Sequence, residues 1–165
     1  MNGTDLPSSF PYVPYDAREL VAFLGDPVLG AAYPAEFIGA SGAQNDLNAV
    51  SSVSAINQLL TFSGATVDMV SIGGVIQAQA GSSGGPVVNA WQKLIGLITT
   101  TSAGKTTADR TLRAISLSYV NRDMQVQTGA DLRAFLASDL DTIEDEFNAV
   151  WLNHLTRLYI DQISK

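Results

Sequence analysis

The chain of 165 residues has no cysteine and a single histidine, His154. The first absence excludes disulfides, thiolate metal sites and a cysteine nucleophile together. The second excludes any site that needs two histidine ligands and leaves one candidate for a histidine base. Basic residues are also few, 9 against 16 acids, for a net charge of −7. The positive footprint that binds nucleic-acid phosphates is therefore missing. Apolar runs stop well short of the roughly 20 residues that a membrane span needs. The start, Met1-Asn2-Gly3-Thr4-Asp5, carries neither the basic nor the apolar part of a signal peptide. A soluble chain of open compartment is expected, with no cofactor and no metal site.

What is present is a packed globular composition. Hydrophobic residues make up 46% and charged residues 15%, which does not fit a disordered chain. The length suits one domain of ordinary size. Residues 1–15 are rich in proline, serine and tyrosine and read as an extended strap, and Asp16 to Phe23 as a helical turn. Val28 to Tyr33 reads as a buried strand. Leu47 to Leu60 leaves strand and helix open, whereas Thr66 to Ile72 alternates as a strand does. Pro86 to Asn89 and Lys93 to Thr99 form a hairpin around a turn at Asn89 to Gln92, and Thr111 to Leu117 is a further strand. Short strands at this spacing point to an antiparallel barrel or sandwich.

The end of the chain changes character. A short helix is expected over Ala130 to Leu136. In residues 142–164, Ile143, Phe147, Val150, Trp151, Leu155 and Leu158 recur at helical spacing. Asp139, Asp141, Glu144, Asp145 and Glu146 crowd the start of that helix, where exposed amides and the dipole favour negative charge. Residues 139–165 hold six acids and two bases, −4 of the chain's −7.

The stretch most suggestive of chemistry is Gly81-Ser82-Ser83-Gly84-Gly85-Pro86-Val87-Val88-Asn89. Glycines around a serine permit a tight turn whose amides can aim at one point, as a tetrahedral acyl intermediate requires. This segment, with Ile95-Gly96-Leu97-Ile98 after it, resembles the nucleophile signature of the trypsin/chymotrypsin superfamily. It is similar in particular to the cysteine-free bacterial peptidases of the HtrA type. Leu24 to Pro34 resembles the opening of their second barrel, and Ala114-Ile115-Ser116 with the helix near Leu132 to Leu136 its close.

The resemblance implies a mainly β fold, one six-stranded antiparallel Greek-key barrel (half of a two-barrel enzyme) with a C-terminal helical extension. It divides the chain into an inter-barrel linker strap at 1–20, the barrel at 21–138 and an acidic amphipathic helix at 139–165. By position, Ser83 becomes the nucleophile and the amides of Gly81 and Ser83 the oxyanion hole. Thr99, Thr100 and Thr101 become a substrate-pairing edge. Val75 to Ala80 and Ala114, Ile115 and Ser116 become the walls of the specificity pocket, which hold no acid and so suit a small or apolar side chain.

The departures from the family pattern are as informative. Its catalytic histidine and aspartate come from a first barrel upstream of the serine. No histidine precedes Ser83, and the residues before it are too few for that barrel. Ser82 stands where asparagine or aspartate is commoner. Without a base, a serine hydroxyl is a poor nucleophile. Two functions follow: the serine-bearing half of a serine endopeptidase, inactive without its His/Asp barrel, or a protease-derived barrel that binds peptides or proteins without cutting. The implied partners are a peptide or protein substrate, the absent barrel, and a second copy of the chain as a homodimer. His154 is read as a packed histidine on the terminal helix and not as a substitute base.

Overall fold

Alternating strands of small and branched residues put every second side chain inside. In Thr111-Leu112-Arg113-Ala114-Ile115-Ser116, Leu112, Ala114 and Ser116 are buried while Arg113 points to solvent. The computed structural model describes residues 11–33, 49–62, 64–73, 80–102, 105–106 and 109–164. In it, β1 (Pro27–Ala32), β2 (Val50–Leu60), β3 (Met69–Gly73), β4 (Pro86–Asn89), β5 (Leu94–Thr101) and β6 (Thr111–Ser116) form a closed antiparallel barrel. Their order is β1-β2-β3-β6-β5-β4. The last four run as a Greek key, with β3 returning to lie beside β6. The mainly β barrel with a helical C-terminus is the fold expected from the sequence.

The core is Val28, Ile56, Val70, Ile72, Val87, Ile98, Leu112 and Ala114 at the barrel centre, with Ala22, Ala32 and Ile95 around them. Ile95 and Ile98 are three apart, out of step with the two-residue repeat of a strand. The reason is a bulge: Val87 pairs with Gly96 and Val88 with Leu94, so Ile95 is the extra residue.

Helices follow the last strand: α1 (Leu117–Thr128), α2 (Leu132–Ala137), α3 (Leu140–Glu146), a π-helical turn (Phe147–Trp151) and α4 (Leu152–Ile163). The chain divides into two compact units, Met1–Asp123 and Met124–Lys165. In the second, Asp131 and Asp139 cap α2 and α3 by accepting the amides of Ala134 (2.7 Å) and Thr142 (3.4 Å). The apolar stripe along Leu140–Ile163 is exposed, including Phe147, Val150, Trp151 and Leu158. Among the described residues no helix is long and apolar enough to cross a membrane, and no cluster of metal-ligating side chains occurs.

One open reading is settled, one expectation is corrected and one helix is added. The ambiguous Leu47 to Leu60 is strand from Val50 onward, paired on both sides by β1 and β3. No helical turn forms over Asp16 to Phe23. Tyr15 bridges to Leu94, with Asp16 N–H donating to the Leu94 carbonyl (2.8 Å), and the chain reverses at Leu20, φ 58°. Helix α1 has no counterpart in the hydropathy pattern. It is started by Ser116, whose hydroxyl accepts the Tyr119 amide (3.1 Å), and stopped at Gly129, φ 77°. Residues 1–10 of the strap and Val75 to Gln79 of the expected pocket wall lie outside the described residues.

Asp68 joins these segments. It is 2% exposed and accepts from the Phe62 amide (2.6 Å), the Thr61 hydroxyl (3.2 Å), the Thr66 hydroxyl (3.0 Å) and the Arg122 guanidinium. Arg122 also pairs with Glu19 and lies over the Tyr119 ring, which meets Phe62 edge-on at 5.0 Å. Burial pushes the Asp68 carboxyl up. The Phe62 amide, the two hydroxyls and the Arg122 charge together outweigh that and hold it below its ordinary 3.8.

Breaking a buried, charge-paired carboxylate costs several kcal/mol, so Asp68→Asn is expected to lower stability by ~3 kcal/mol. Because the folded-state value is depressed, the contribution of Asp68 is complete above the unfolded value of 3.8. It is lost as pH falls through the lower, folded value. Urea midpoints measured from pH 7 downward check this: the native chain should lose more stability on acidification than the Asn variant. Equal midpoints at pH 7 would show that the cluster contributes nothing.

Candidate functional site

The serine turn is shaped by glycine. Gly81 (φ 91°) and Gly84 (φ 86°) occupy left-handed conformations that residues with a Cβ adopt only with strain. The turn is then clamped to β5 by two backbone bonds, Gly84 N–H to the Ile98 carbonyl and Ile98 N–H to the Gly85 carbonyl, each 2.8 Å. Gly85 N–H closes the turn on the Ser82 carbonyl at 3.1 Å. On the other side β1 presses in: a Cβ at Gly85 would lie 2.2 Å from the Ala31 carbonyl oxygen. The glycine at 85 is required by that approach and not by its backbone angles.

Ser83 therefore sits exposed on a turn fixed from two sides. Its hydroxyl donates to the Thr99 carbonyl at 3.0 Å. Thr99 is itself the extra residue of a bulge, since Ile98 pairs with Ala114 and Thr100 with Arg113. The bulge turns the Thr99 carbonyl toward the serine. A backbone carbonyl holds a hydroxyl but does not take its proton at neutral pH, so Ser83 remains a neutral alcohol. Among the described residues no side chain bonds to Ser83 Oγ, and the amides of Gly81 and Ser83 donate to no other group. Ser82 points the opposite way, 1% exposed, with its Oγ unpartnered.

The structure brings Ser83 together with Thr99. Beyond Leu97 the edge of β5 facing β4 has no strand partner among the described residues, while Thr100 and Thr101 still pair with β6 on the other edge. Ala114, Ile115 and Ser116 lie on β6. Ala114 is fully buried in the core, and Ile115 is half-buried between Met69 and Leu97. The Ser116 hydroxyl bonds the Val67 carbonyl at 2.8 Å. His154 is exposed on α4, in the second unit. The sequence reading missed the Asp68–Arg122 pair. Its one local signal is the Thr-x-Asp of Thr66 and Asp68, an acid with a hydroxyl two residues before it.

Two substitutions in the same turn should act in opposite directions. Gly85→Ala forces a Cβ into the β1 backbone and is expected to destabilise by about 3 kcal/mol. Ser82→Ala removes a buried hydroxyl that makes no bond and is expected to leave stability unchanged or raise it by up to ~1 kcal/mol. Thermal melts of the two variants check this. Tolerance of Ala at 85 would contradict the close approach of β1.

No family model and no curated protein matches the chain. Solved structures similar to it include Rv3671c from M. tuberculosis H37Rv, in the inactive form of a serine-to-alanine mutant. That match has 17% identity and a TM-score of 0.49, covering 79% of this chain and 56% of the other. Kallikrein-related peptidase 10 is a second, with 18% identity and a TM-score of 0.48, covering 73% of this chain and 58% of its own. The chain thus spans less than two-thirds of the length of either.

Proposed function

We propose that the barrel is the serine-bearing half of a trypsin-like serine endopeptidase, with Ser83 as nucleophile. The observation that carries this reading is the placement of Ser83: an exposed hydroxyl on a glycine turn clamped to β5, beside a stretch of that strand with one edge free of a strand partner among the described residues. An extended peptide would add to the edge at Thr99, Thr100 and Thr101. Of Ala114, Ile115 and Ser116, only the half-buried Ile115 would meet its side chain, and none of the three carries a carboxylate to attract a basic one.

Hydrolysis in such a site begins with attack of Ser83 Oγ on the scissile carbonyl. The resulting oxyanion is met by the Gly81 and Ser83 amides. The serine proton passes to a base and from there to the leaving amine. Water then cleaves the acyl-enzyme and restores Ser83. The residues of this chain provide the nucleophile and the amides. On this reading the base comes from another barrel, because no histidine precedes Ser83 in the sequence. On the same reading the chain by itself is inactive.

A second reading, a barrel that holds peptides without cutting them, is favoured by the bond from Ser83 to the Thr99 carbonyl, which satisfies the hydroxyl without any base. A fluorophosphonate probe read by intact mass, with a peptide titration read at the backbone amides of Thr99 to Thr101, separates the two. The chain alone should stay unlabelled. Fused behind a trypsin-like barrel that carries histidine and aspartate, it should take one label, lost in Ser83→Ala. Labelling of the isolated chain would contradict the absence of a base. Peptide-induced shifts without labelling in the fusion would favour the binding reading, and a chain with neither response would overturn both.

A further inference from the structure

The β4–β5 hairpin has two ends. Ser83 and Thr99 lie at one, and the turn Asn89 to Lys93 at the other carries a pocket the serine chemistry does not use. It encloses about 360 Å³ between this turn and the segment Asp16 to Phe23. The turn is well built: Asn89 Oδ1 accepts the amides of Trp91 (3.1 Å) and Lys93 (3.0 Å), and Gln92 N–H bonds the Asn89 carbonyl (3.0 Å). Yet its outermost residue is Trp91, 69% exposed, and across the pocket Leu20 and Phe23 are 74% and 50% exposed. Large apolar side chains at the mouth of a cavity are the usual lining of a ligand site.

Backbone conformation marks the same place. Among the described residues, the only non-glycine residues at left-handed φ are Leu20 and Gln92, both at 58°. Leu20 lines the pocket, and Gln92 sits between its lining residues Trp91 and Lys93. Glycine would fit either backbone without strain. Strain gathered around one cavity is a pointer to function.

The charges decide what would fit. Arg18, largely exposed, bonds Asp16 through two side-chain contacts, Nε to Oδ1 (2.9 Å) and Nη2 to Oδ2 (2.6 Å), so that the pair sums to zero charge. Lys93 also lines the pocket; its charge helps hold the Asp16 carboxyl below its ordinary value, though it makes no ion pair within 4 Å among the described residues. The lining, one acid against two bases, thus sums to one positive charge on a chain of net −7, between aromatic walls and a flat guanidinium that can stack on a ring.

We propose that this pocket binds a small carboxylate with a flat apolar body, its ring against Trp91 and Leu20 and its anionic end toward Lys93. The site is separate from Ser83 and does not depend on the proposed peptidase chemistry. Trp91 is its own reporter once the second tryptophan is removed, so the full chain carrying Trp151→Phe is titrated with 3-phenylpropionate and with 3-phenylpropionamide.

The acid should change Trp91 fluorescence with a dissociation constant of about 0.1–1 mM, in the range open to so small a ligand. The amide should bind about tenfold more weakly. Lys93→Met should remove that preference for the acid without lowering the melting temperature, and salt should weaken the acid alone. Equal binding of acid and amide, an unchanged preference in Lys93→Met, or no response to either compound at ~10 mM would overturn the proposal.

Discussion

The carboxylate of Asp68 is buried where three separate parts of the first unit meet, and its bonds define how they are held. Through the Phe62 amide and the Thr61 and Thr66 hydroxyls it fixes the turn between β2 and β3. Through its own carbonyl, which accepts the Ser116 amide at 2.9 Å, it sets the corner where β6 becomes α1. Through Arg122 it engages α1 and, by way of Glu19, the segment ahead of β1. A buried charge is costly unless it is paired and fully hydrogen-bonded. Meeting that requirement is what draws these segments to one point.

The serine turn rests on a second constraint, that of space. Gly85 lies so close to the Ala31 carbonyl that no side chain can stand there, and the bonds to Ile98 fix the turn from the opposite side. The consequence is a hydroxyl with a defined position and a defined partner. Its partner is a carbonyl, which orients the hydroxyl without activating it. The turn thus gives the Ser83 hydroxyl a fixed position without making it more basic, and the two proposed readings of its function differ in whether another part of a protein supplies a base.

One hairpin carries both features discussed for binding. Its β5 strand bulges twice, at Ile95 near the turn and at Thr99 near the serine. Each bulge changes which residues face inward. The first lets Ile95 join the core beside the pocket of Trp91 and Lys93, and the second aims the Thr99 carbonyl at Ser83. Bulges are common where a strand must redirect a side chain or end its pairing.

Much of this was legible in the sequence. Two-residue alternation located β3, a buried apolar run β1 and a hairpin pattern β4 and β5, glycine spacing identified the serine turn, and the acids at the start of α3 marked its cap. These are local signals, carried by neighbours along the chain. Leu47 to Leu60 resisted because its small polar residues alternate poorly, and its state was settled by pairing with β1 and β3. Helix α1 was illegible because it lacks an apolar stripe; it forms behind the Ser116 cap with Arg122 drawn to Asp68, which is 54 residues away. Sequence alone therefore determined five of the barrel's six strands and its serine turn. Tertiary structure decided the partners, Thr99 for Ser83 and Arg122 for Asp68, and set Leu20 and Trp91 around one pocket. Those contacts join segments far apart in the chain, and only closure of the barrel brings them within reach.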